Sequence, residues 1–185
     1  PGENYLRLET GNCDVHDHRA KRDVFGIPRL LTGHFALQPK GEIISGKMRL
    51  DLWNAEASTD IITTKGVIHL QTFVHADDMV IVVKATTEGE EHDFKWEWIA
   101  AEANSPRYLL FKRRGQTNKI PKDYTLNPAP VINRKGDINL SIQKLSAGGE
   151  TTVGWKETQS AKKERTLWIN LTHTYLQNNS DEICK

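Results

Sequence analysis

The sequence predicts an all-β fold in which antiparallel strands form a sandwich, and three observations carry this prediction. Apolar and polar side chains alternate with a period of two in several short runs. Turn-forming residues separate these runs, as at Lys65-Gly66 and Gly148-Gly149. No segment repeats its apolar residues in the manner of a long amphipathic helix. Many short strands joined by turns are typical of two packed antiparallel sheets.

Five runs have the alternation of strands with one face on a core and one face toward water. They span residues 47–52, 67–74, 93–98, 138–142 and 165–171. In the first run the apolar side chains are Met48, Leu50 and Leu52, and we expect them to face the core. Residues 79–83, in contrast, are continuously apolar and rich in β-branched side chains. This pattern predicts a central strand that is covered on both faces.

Two stretches, residues 10–28 and 103–130, lack the strand pattern, and we expect long loops there. The first is rich in Asp, His, Lys and Arg, and the second contains four prolines. Long loops in compact domains often carry binding or catalytic residues. A functional site is therefore expected first in these two segments.

The composition excludes several classes of protein. Of the 185 residues, 37% are hydrophobic and 26% are charged, which is typical of a folded globular domain. The net charge of +1 gives no general attraction to nucleic acid. No apolar run approaches the roughly 20 residues that a membrane-spanning helix needs. We therefore predict no nucleic-acid partner, no membrane span and no cofactor.

The two ends of the chain suggest a segment of a longer protein. It begins at Pro1 without an initiator methionine and ends at Lys185 without a turn or cap. We expect residues 1–185 to form a single β-sandwich domain. The two cysteines, Cys13 and Cys184, lie near opposite ends, so the sequence leaves their pairing open and favours two unpaired thiols. Neither has a neighbouring cysteine with which to build a zinc site.

An ordered series of segments through the middle of the chain resembles a known family. The series comprises residues 28–37 (PRLLTGHFAL), 48–57 (MRLDLWNAEA), 66–76 (GVIHLQTFVHA), 79–83 (MVIVV), 143–150 (QKLSAGGE) and 153–155 (VGW). In this order they are similar to the N-terminal domain of glycoside hydrolase family 95 and of related glycoside hydrolases from gut bacteria. The resemblance depends on the order of the segments, since none of them alone is chemically diagnostic.

The resemblance implies a β-supersandwich of the galactose-mutarotase-like type, followed in the parent enzyme by a helical linker and an (α/α)6 barrel. In that family the catalytic carboxylates lie in the barrel, so the resemblance assigns no catalytic residue to this chain. It implies that the sandwich packs on the barrel of the same polypeptide and can lend a loop to the rim of its carbohydrate site. It also implies a periplasmic or extracellular location.

Residues 13–19 form the most reactive cluster in the sequence. His16 and His18 would share one face of an extended segment, and Asp14 or Asp17 would complete a metal site there. Such short clusters are weak signals, and a solvated loop or a contact with the barrel explains this one better. We therefore predict no metal site, and we keep His16 and His18 as candidates for carbohydrate contact.

The tryptophans fall into two groups by their position in the alternation. Trp96 and Trp98 lie on the same face as Phe94, which favours a place in the core. Trp53 and Trp168 fall opposite the apolar positions of their strands. An exposed indole ring can stack on the apolar face of a sugar, so these two are candidates for carbohydrate contact. Contact with another protein domain is the alternative for both.

Carboxylates and basic runs provide no further site. A glycosidase needs a carboxylate on each side of the bond that it cleaves. Strand spacing selects no pair among the carboxylates Asp51, Glu56, Glu97 and Glu102. Asp51 lies on a polar strand face, which favours a structural salt bridge. The basic runs at 112–114 and 162–163 are typical of solvated surfaces.

Three interpretations of the whole chain remain. The first is an accessory domain, not itself catalytic, of a glycoside hydrolase. The second is a free-standing carbohydrate-binding sandwich that uses Trp53 and Trp168, and the third is a structural or adhesive module. An exposed apolar patch larger than those of ordinary monomers would favour the first, because the barrel would cover it in the parent enzyme.

Overall fold

In the computed structural model, which describes residues 4–19, 25 and 28–175, the chain is built mainly from β-strands. Its strands and helix, numbered in chain order, are β1 Leu6–Thr10, β2 Gly33–Gln38, β3 Ile43–Asp51, β4 Glu56–Thr63, β5 Gly66–His75, β6 Val80–Gly89, β7 Lys95–Ala100, α1 Pro106–Arg113, β8 Val131–Lys135, β9 Ile138–Lys144, β10 Glu150–Ala161 and β11 Glu164–Thr174. Short 3-10 turns lie at Glu91–Asp93 and Thr117–Lys119. The predicted all-β class is confirmed.

The strands form two sheets within the described part of the chain. Eight strands pair in the order β3-β4-β5-β6-β11-β10-β9-β8, and three pair in the order β1-β2-β7. Strands β3 to β6 follow one another as antiparallel hairpins. Strand β11 then pairs with β6, so that Leu167 lies opposite Val83. A large antiparallel sheet with a smaller second sheet is the sandwich architecture that the sequence predicts.

The chain divides into two compact units. The first comprises Pro1–Glu9, Phe35–Ile99 and Trp155–Asn170, and the second comprises Thr10–His34, Ala100–Gly154 and Leu171–Lys185. This division leaves the expectation of one sandwich domain within a longer enzyme as a prediction. Within the described residues, no helix has the length and apolar character needed to cross a membrane.

Aromatic side chains from both sheets form the core of the first unit. The ring of Phe35 in β2 is fully buried, 4.8 Å from Trp98 of β7 and 5.6 Å from Trp155 of β10 between ring centres. Phe94 is also buried and lies 6.2 Å from Trp96. Edge-to-face contacts of this kind bury a large apolar area in a defined geometry. Trp96 and Trp98 are half-buried and contact this core, on the face that the alternation predicts.

Strand β6 is the central strand predicted at residues 79–83, with one correction. Val82 and Val83 point to opposite faces of the sheet, and both are buried. The strand begins at Val80, however, and Met79 lies in the turn before it with a φ of 51° and an exposed side chain. The prediction of a covered strand is therefore wrong for Met79, because the hairpin turn lifts this residue away from both faces.

The alternation in β3 is real, but the prediction that its apolar side chains face the core is wrong. Met48 and Leu50 are 67% and 64% exposed, and Leu52, in the turn after β3, is 83% exposed. Met48 pairs with Thr59 of β4, which in turn pairs with the buried Leu70 of β5. Directly paired residues point to the same face of a sheet. Met48 is therefore on the core side, but β3 is an edge strand that the described residues leave uncovered there.

A buried carboxylate, which the sequence analysis did not predict, holds two connections of the first unit together. Glu91 is fully buried, and its carboxylate accepts hydrogen bonds from the backbone N–H groups of Lys40, at 2.9 Å, and Gly41, at 2.8 Å. It also accepts a short hydrogen bond from the hydroxyl of Thr63. The side chain thus links the β2–β3 connection to the end of β4. Buried carboxylates are stable only when hydrogen-bonded in this way.

The second unit has a smaller core and one helix that the sequence did not predict. Its buried apolar cluster consists of Val15, Leu30, Ala103 and Leu145. The expectation of a loop throughout 103–130 is wrong, because α1 occupies part of it. Ser105 caps this helix by accepting a hydrogen bond from the N–H of Arg107, and Pro106 occupies the first turn. No residue of α1 is buried, so it lacks the apolar stripe by which a helix is recognised.

The expected loop at 10–28 is confirmed where the structure describes it. After β1 ends at Thr10, residues 11–19 contain no strand or helix, and a single bridge pairs His16 with Arg29. Residues 20–24, 26 and 27 of this segment lie outside the described part. Both non-strand segments thus belong to the second unit, where the histidines of the first segment are found.

Candidate functional site

Two histidines that are distant in sequence face each other in the second unit. The Nε2 atoms of His18, in the loop after β1, and His173, in β11, are 2.6 Å apart. The ring planes differ by 15°, and the ring centres are 4.9 Å apart. This separation is close to the sum of the two ring radii and the N–N distance, which is the largest value it could have, so the nitrogens lie nearly on the line between the ring centres. One Nε2 donates a hydrogen and the other accepts it, since two donors or two lone pairs would repel.

The hydrogen bond continues from the histidine pair to a buried hydroxyl. Nδ1 of His173 lies 2.8 Å from Oγ1 of Thr151, which is buried in β10. If Nε2 of His173 accepts the hydrogen from His18, its Nδ1 donates to Thr151. If Nε2 of His173 donates instead, its Nδ1 accepts from the Thr151 hydroxyl, so both tautomers of His173 complete the two bonds. On the other side, the ring of Tyr175 covers His18 at 4.2 Å between ring centres. The pair is therefore positioned from two sides.

Burial and mutual charge favour the neutral form of both imidazoles. Burial lowers the pKa of His173, and the nearby His18 lowers it further. Burial also lowers the pKa of His18, with a further contribution from His16 and an opposing one from the Asp17 carboxylate. Neutral imidazoles at pH 7 can both donate and accept hydrogen bonds, which is the chemistry that recognises hydroxyl groups of a polar ligand.

Of the two predicted histidines, the structure brings only His18 into this pair. The ring centre of His16 lies 6.0 Å from that of His18, and its plane is tilted by 65°. His18 has a φ of 55°, so the segment is not the extended strand on which a shared face was expected. His173 and Tyr175 were not singled out from the sequence. The strand pattern places them at the end of β11 but gives no sign of a partner 155 positions away.

A buried ion pair supports the loop that carries His18. Asp17 is fully buried, and its carboxylate accepts hydrogen bonds from Nε of Arg19, at 2.7 Å, and Nδ2 of Asn127, at 3.1 Å. Arg19 also donates to the hydroxyl of Thr125 at 2.9 Å and lies over the ring of Tyr124. This residue cluster ties the 10–19 loop to the segment after α1. Asp17 is therefore satisfied by structural partners and does not point into a binding site.

The described residues provide neither a metal site nor a disulfide bond. Among the residues that the structure describes, no group of three or more His, Cys, Asp or Glu side chains is arranged to hold a metal ion. Cys13 is exposed and forms no disulfide within the described residues. Cys184 lies outside the described residues, so the question of its pairing with Cys13 stays open.

The two candidate tryptophans lie in the first unit but do not form one platform. Trp53 lies in the turn between β3 and β4 and is 94% exposed. Trp168 is 37% exposed on the face of β11 opposite the buried Leu167, as the alternation predicts, and its Nε1 donates to Oγ1 of Thr158 at 3.0 Å. The cross-strand pairs that start at Trp168 lead through β6, β5 and β4 to Asp51 of β3, two residues before Trp53. These four steps between neighbouring strands separate Trp168 from Asp51 by roughly 19 Å. Each tryptophan would therefore contact a sugar without the other.

The carboxylates named from the sequence have structural partners. Asp51 accepts hydrogen bonds from the backbone N–H groups of Trp53 and Asn54, both at 3.1 Å, and lies 3.7 Å from Arg49. The bonds from Asn54 are the main cause of its lowered pKa. Glu56 accepts from Gln71 at 2.7 Å, and this pair is also exposed. These contacts are turn and surface contacts of ordinary kind, which agrees with the structural role expected for Asp51.

The first unit has an exposed apolar face on the core side of β3 to β5. We call it the β3 apolar face and define it by Met48, Leu50 and Val74, of which Val74 is 54% exposed. Val74 pairs with Ile81, which pairs with the fully buried Ile169, so its side chain also points to the core side. Leu52 and Trp53 extend the exposed apolar surface into the adjacent turn.

No protein-family model matches this chain, and no curated protein matches it. The resemblance to family 95 therefore remains a prediction from the ordered segments. The geometry supplies two features that a function has to explain. One is a neutral histidine pair in the second unit, and the other is the β3 apolar face in the first.

Proposed function

We propose that this chain is the N-terminal accessory sandwich domain of a glycoside hydrolase and that it packs, through the β3 apolar face, on the catalytic (α/α)6 barrel of the same polypeptide. The observation that carries the proposal is the exposure of Met48, Leu50 and Val74 on the same side of β3 to β5 as the buried Ile68 and Leu70. Monomers rarely leave contiguous apolar surface of this kind in water, and such surface commonly marks an interface between domains.

The free energy that burial of this face would contribute supports an interface. Full burial of a Val, Leu or Met side chain contributes roughly 1.5–3 kcal/mol relative to leaving it in water. Three such side chains on one face would thus contribute several kcal/mol on docking, which is enough to hold two domains of one chain together. The exposed hairpin turns that contain Trp53 and Met79 lie at the same end of the strands and would enlarge the contact.

A role without catalysis is supported by the state of the carboxylates. Three described acidic side chains are buried: Asp17, Glu91 and Glu150. Of these, Asp17 and Glu91 are each held by several hydrogen bonds from the protein. Neither is paired with a second carboxylate across a cleft, as glycoside cleavage requires. The reaction is therefore assigned to the barrel, and the enzyme would act in the periplasm or outside the cell, where polysaccharides are met.

The gene provides the first test of this proposal. The reading frame after Lys185 should continue for several hundred residues with the helical pattern of a barrel. A stop codon at that point would refute the proposal. Cell fractionation of the native host should in addition find the protein outside the cytoplasm.

Charge introduced into the β3 apolar face provides the second test. In the full-length protein, the double variant Met48→Lys/Leu50→Lys should lose sandwich–barrel docking and become more sensitive to proteolysis between them. The control is Val131→Lys/Ile132→Lys, which places the same two charges on β8 at other exposed apolar positions. Equal proteolysis of both variants and of the wild type would contradict the proposed contact surface.

A second candidate function is a free-standing carbohydrate-binding sandwich, and the exposure of Trp53 favours it. A ring that is 94% exposed at a hairpin tip can stack on a sugar without any rearrangement. Titration with oligosaccharides should then change the tryptophan fluorescence of the chain, and Trp53→Ala should abolish the change. Absence of any response across plant and host glycans would eliminate this candidate.

A further inference from the structure

Positive charge is concentrated on one segment of the second unit. Residues 106–122 contain six of the 25 Lys and Arg residues of the chain and none of its 24 Asp and Glu residues. The remainder of the chain is therefore acidic on balance, although the net charge of the whole is only +1. The six cationic side chains are all exposed: Arg107, Lys112, Arg113, Arg114, Lys119 and Lys122. This segregation is invisible in the overall composition.

Two of these cations flank one aromatic ring, and a third lies close to it in sequence. Arg107 and Phe111 are four residues apart on one face of α1, and Arg114, three residues after Phe111, caps the C-terminal end of the helix. The guanidinium of Arg107 and the ammonium of Lys119 each lie 5.7 Å from the centre of the Phe111 ring. The two charges are thus no farther apart than twice that distance. We call this surface the Phe111 basic face and define it by Arg107, Phe111, Arg114 and Lys119.

The cations of this face lack carboxylate partners among the described residues. The structure pairs only Lys112 of the segment with an acidic side chain, Glu102, at 3.9 Å and in an exposed position. Arg107 and Lys119 share the same ring although their charges repel each other, and cation–π attraction compensates only partly for this at an exposed site. An anion placed between them would relieve the repulsion. The arrangement therefore matches a ligand with several negative charges.

The chemistry of the surroundings favours a glycan among polyanions. Duplex DNA carries about one charge per 1.7 Å along an axis that would continue far beyond one short helix, and the rest of the chain has no excess of Lys and Arg with which to contact it. A lipid membrane would require an exposed apolar stripe, and the apolar side chains Leu109, Leu110 and Phe111 are all half-buried. A uronic-acid or sulfated polysaccharide has more widely spaced charges. Its sugar rings also have apolar faces that can contact Tyr108 and Phe111.

We infer that the Phe111 basic face binds an acidic polysaccharide, with Arg107, Arg114 and Lys119 contacting its carboxylate or sulfate groups. This inference goes beyond the proposed function and does not require it, since the site lies within one compact unit of the chain and makes no use of a barrel. It also differs from the tryptophan-based candidate, which concerns a neutral stacking contact in the first unit.

The test measures binding of fluorescently labelled polygalacturonate and chondroitin sulfate to the untagged chain by anisotropy at low ionic strength. Unlabelled neutral dextran, single-stranded DNA and phosphatidylglycerol vesicles are the competitors. The double variant Arg107→Glu/Arg114→Glu changes the site. The control, Lys162→Glu/Lys163→Glu, makes the same change of charge in the exposed turn between β10 and β11.

We expect the acidic polysaccharides to bind, and the site variant to weaken binding by about tenfold or more, since two close ion pairs become repulsive. The control should change the affinity less than about twofold, and binding by the wild type should weaken as salt is added. All positions changed are exposed, and unchanged circular dichroism would verify folding. The milder variant Arg107→Gln/Arg114→Gln should show an intermediate loss.

Three outcomes would overturn the inference. The first is equal loss in the site variant and in the Lys162/Lys163 control, which would show attraction to the overall charge. The second is stronger competition by single-stranded DNA or by vesicles than by the polysaccharides, which would show another class of partner. The third is equal competition by neutral dextran, which would show that the charges do not take part.

Discussion

The buried carboxylate of Glu91 offers a sharp test of how the first unit is stabilised. It accepts two backbone hydrogen bonds at 2.8 and 2.9 Å and one from a threonine hydroxyl. In Glu91→Gln, the amide oxygen can still accept from Gly41, but the amide nitrogen then meets the N–H of Lys40, donor against donor. The substitution changes shape very little, so its effect reports on hydrogen bonding.

The expected magnitude follows from the bonds lost. A hydrogen bond to a charged group contributes about 1.5–3 kcal/mol, and a buried donor left without a partner costs about 1–3 kcal/mol. Glu91→Gln should therefore lower the free energy of unfolding by about 2–3 kcal/mol, and Glu91→Ala by about 4 kcal/mol or more. Gly41→Ala should have a related effect, because an added Cβ would lie 2.8 Å from Oε1 of Glu91.

The neighbouring Glu90 is the matched control for this prediction. Its side chain is exposed and lies 3.6 Å from Lys65 in a surface ion pair, so Glu90→Gln should change stability by less than about 0.5 kcal/mol. Urea unfolding followed by tryptophan fluorescence gives the free energies, with equal m-values as the check that the unfolding reaction is the same. Equal stability of Glu91→Gln and Glu90→Gln would refute the assigned role of the buried carboxylate.

Three further predictions concern other parts of the chain. The lowered pKa values of His18 and His173 mean that the unfolded state binds more protons. The free energy of unfolding should hence fall as the pH decreases below the ordinary histidine value of about 6.5, and His173→Gln should flatten this dependence in urea titrations at pH 7.5 and 5. Asp17→Ala removes the buried carboxylate that pairs with the half-buried Arg19 and should cost about 3 kcal/mol by the same assay. Gly66→Ala should prevent the β4–β5 hairpin from forming as observed, because φ is 149° and the new Cβ would lie 2.1 Å from the carbonyl oxygen of Glu88; a melting temperature equal to that of the wild type would contradict this.

The histidine prediction has an internal control in the first unit. The pKa of His69 is raised, chiefly by its hydrogen bond with Asp60 and then by Glu88. His69 therefore adds to the free energy of unfolding at pH values below its unfolded pKa, and this contribution is lost as the pH rises through its raised folded pKa. Its pH dependence is thus opposite in sign to that of His173. His69→Gln should therefore make the loss of stability in acid steeper. A flatter profile for His69→Gln would show that the assignment of signs is wrong.

The sequence could predict those parts of the fold that depend on local patterns. The alternation identified the runs that became β5, β7, β9 and β11, because a strand with one buried face leaves a period of two in the chain. It also placed Trp168 correctly on the outward face. The same pattern could not decide whether the apolar face of β3 would be covered. That depends on whether another layer lies over an edge strand, and this is a property of the assembled sheets.

The candidate site could be predicted only in part, for a related reason. His18 stood out because it belongs to a dense polar cluster, whereas His173 lies among ordinary strand residues. Their contact depends on how a loop after β1 returns to the end of β11, and no local periodicity encodes a pairing across 155 positions. Glu91 was missed likewise, since a single Glu beside the exposed Glu90 gives no sign of burial, and the three hydrogen bonds that hold it come from residues distant in sequence.

The β3 apolar face and the charge of the Phe111 basic face both lie beyond what local sequence patterns can predict. Alternation treats every apolar face as a core face, and an average charge treats every basic run as solvated surface. Both features are recognised only from the folded structure. Met48 and Leu50 have no covering layer among the described residues, and Arg107 and Lys119 have no carboxylate partner there. An apolar surface without a covering layer, or a basic surface without carboxylates, gains stability when a partner of matching polarity or charge binds to it.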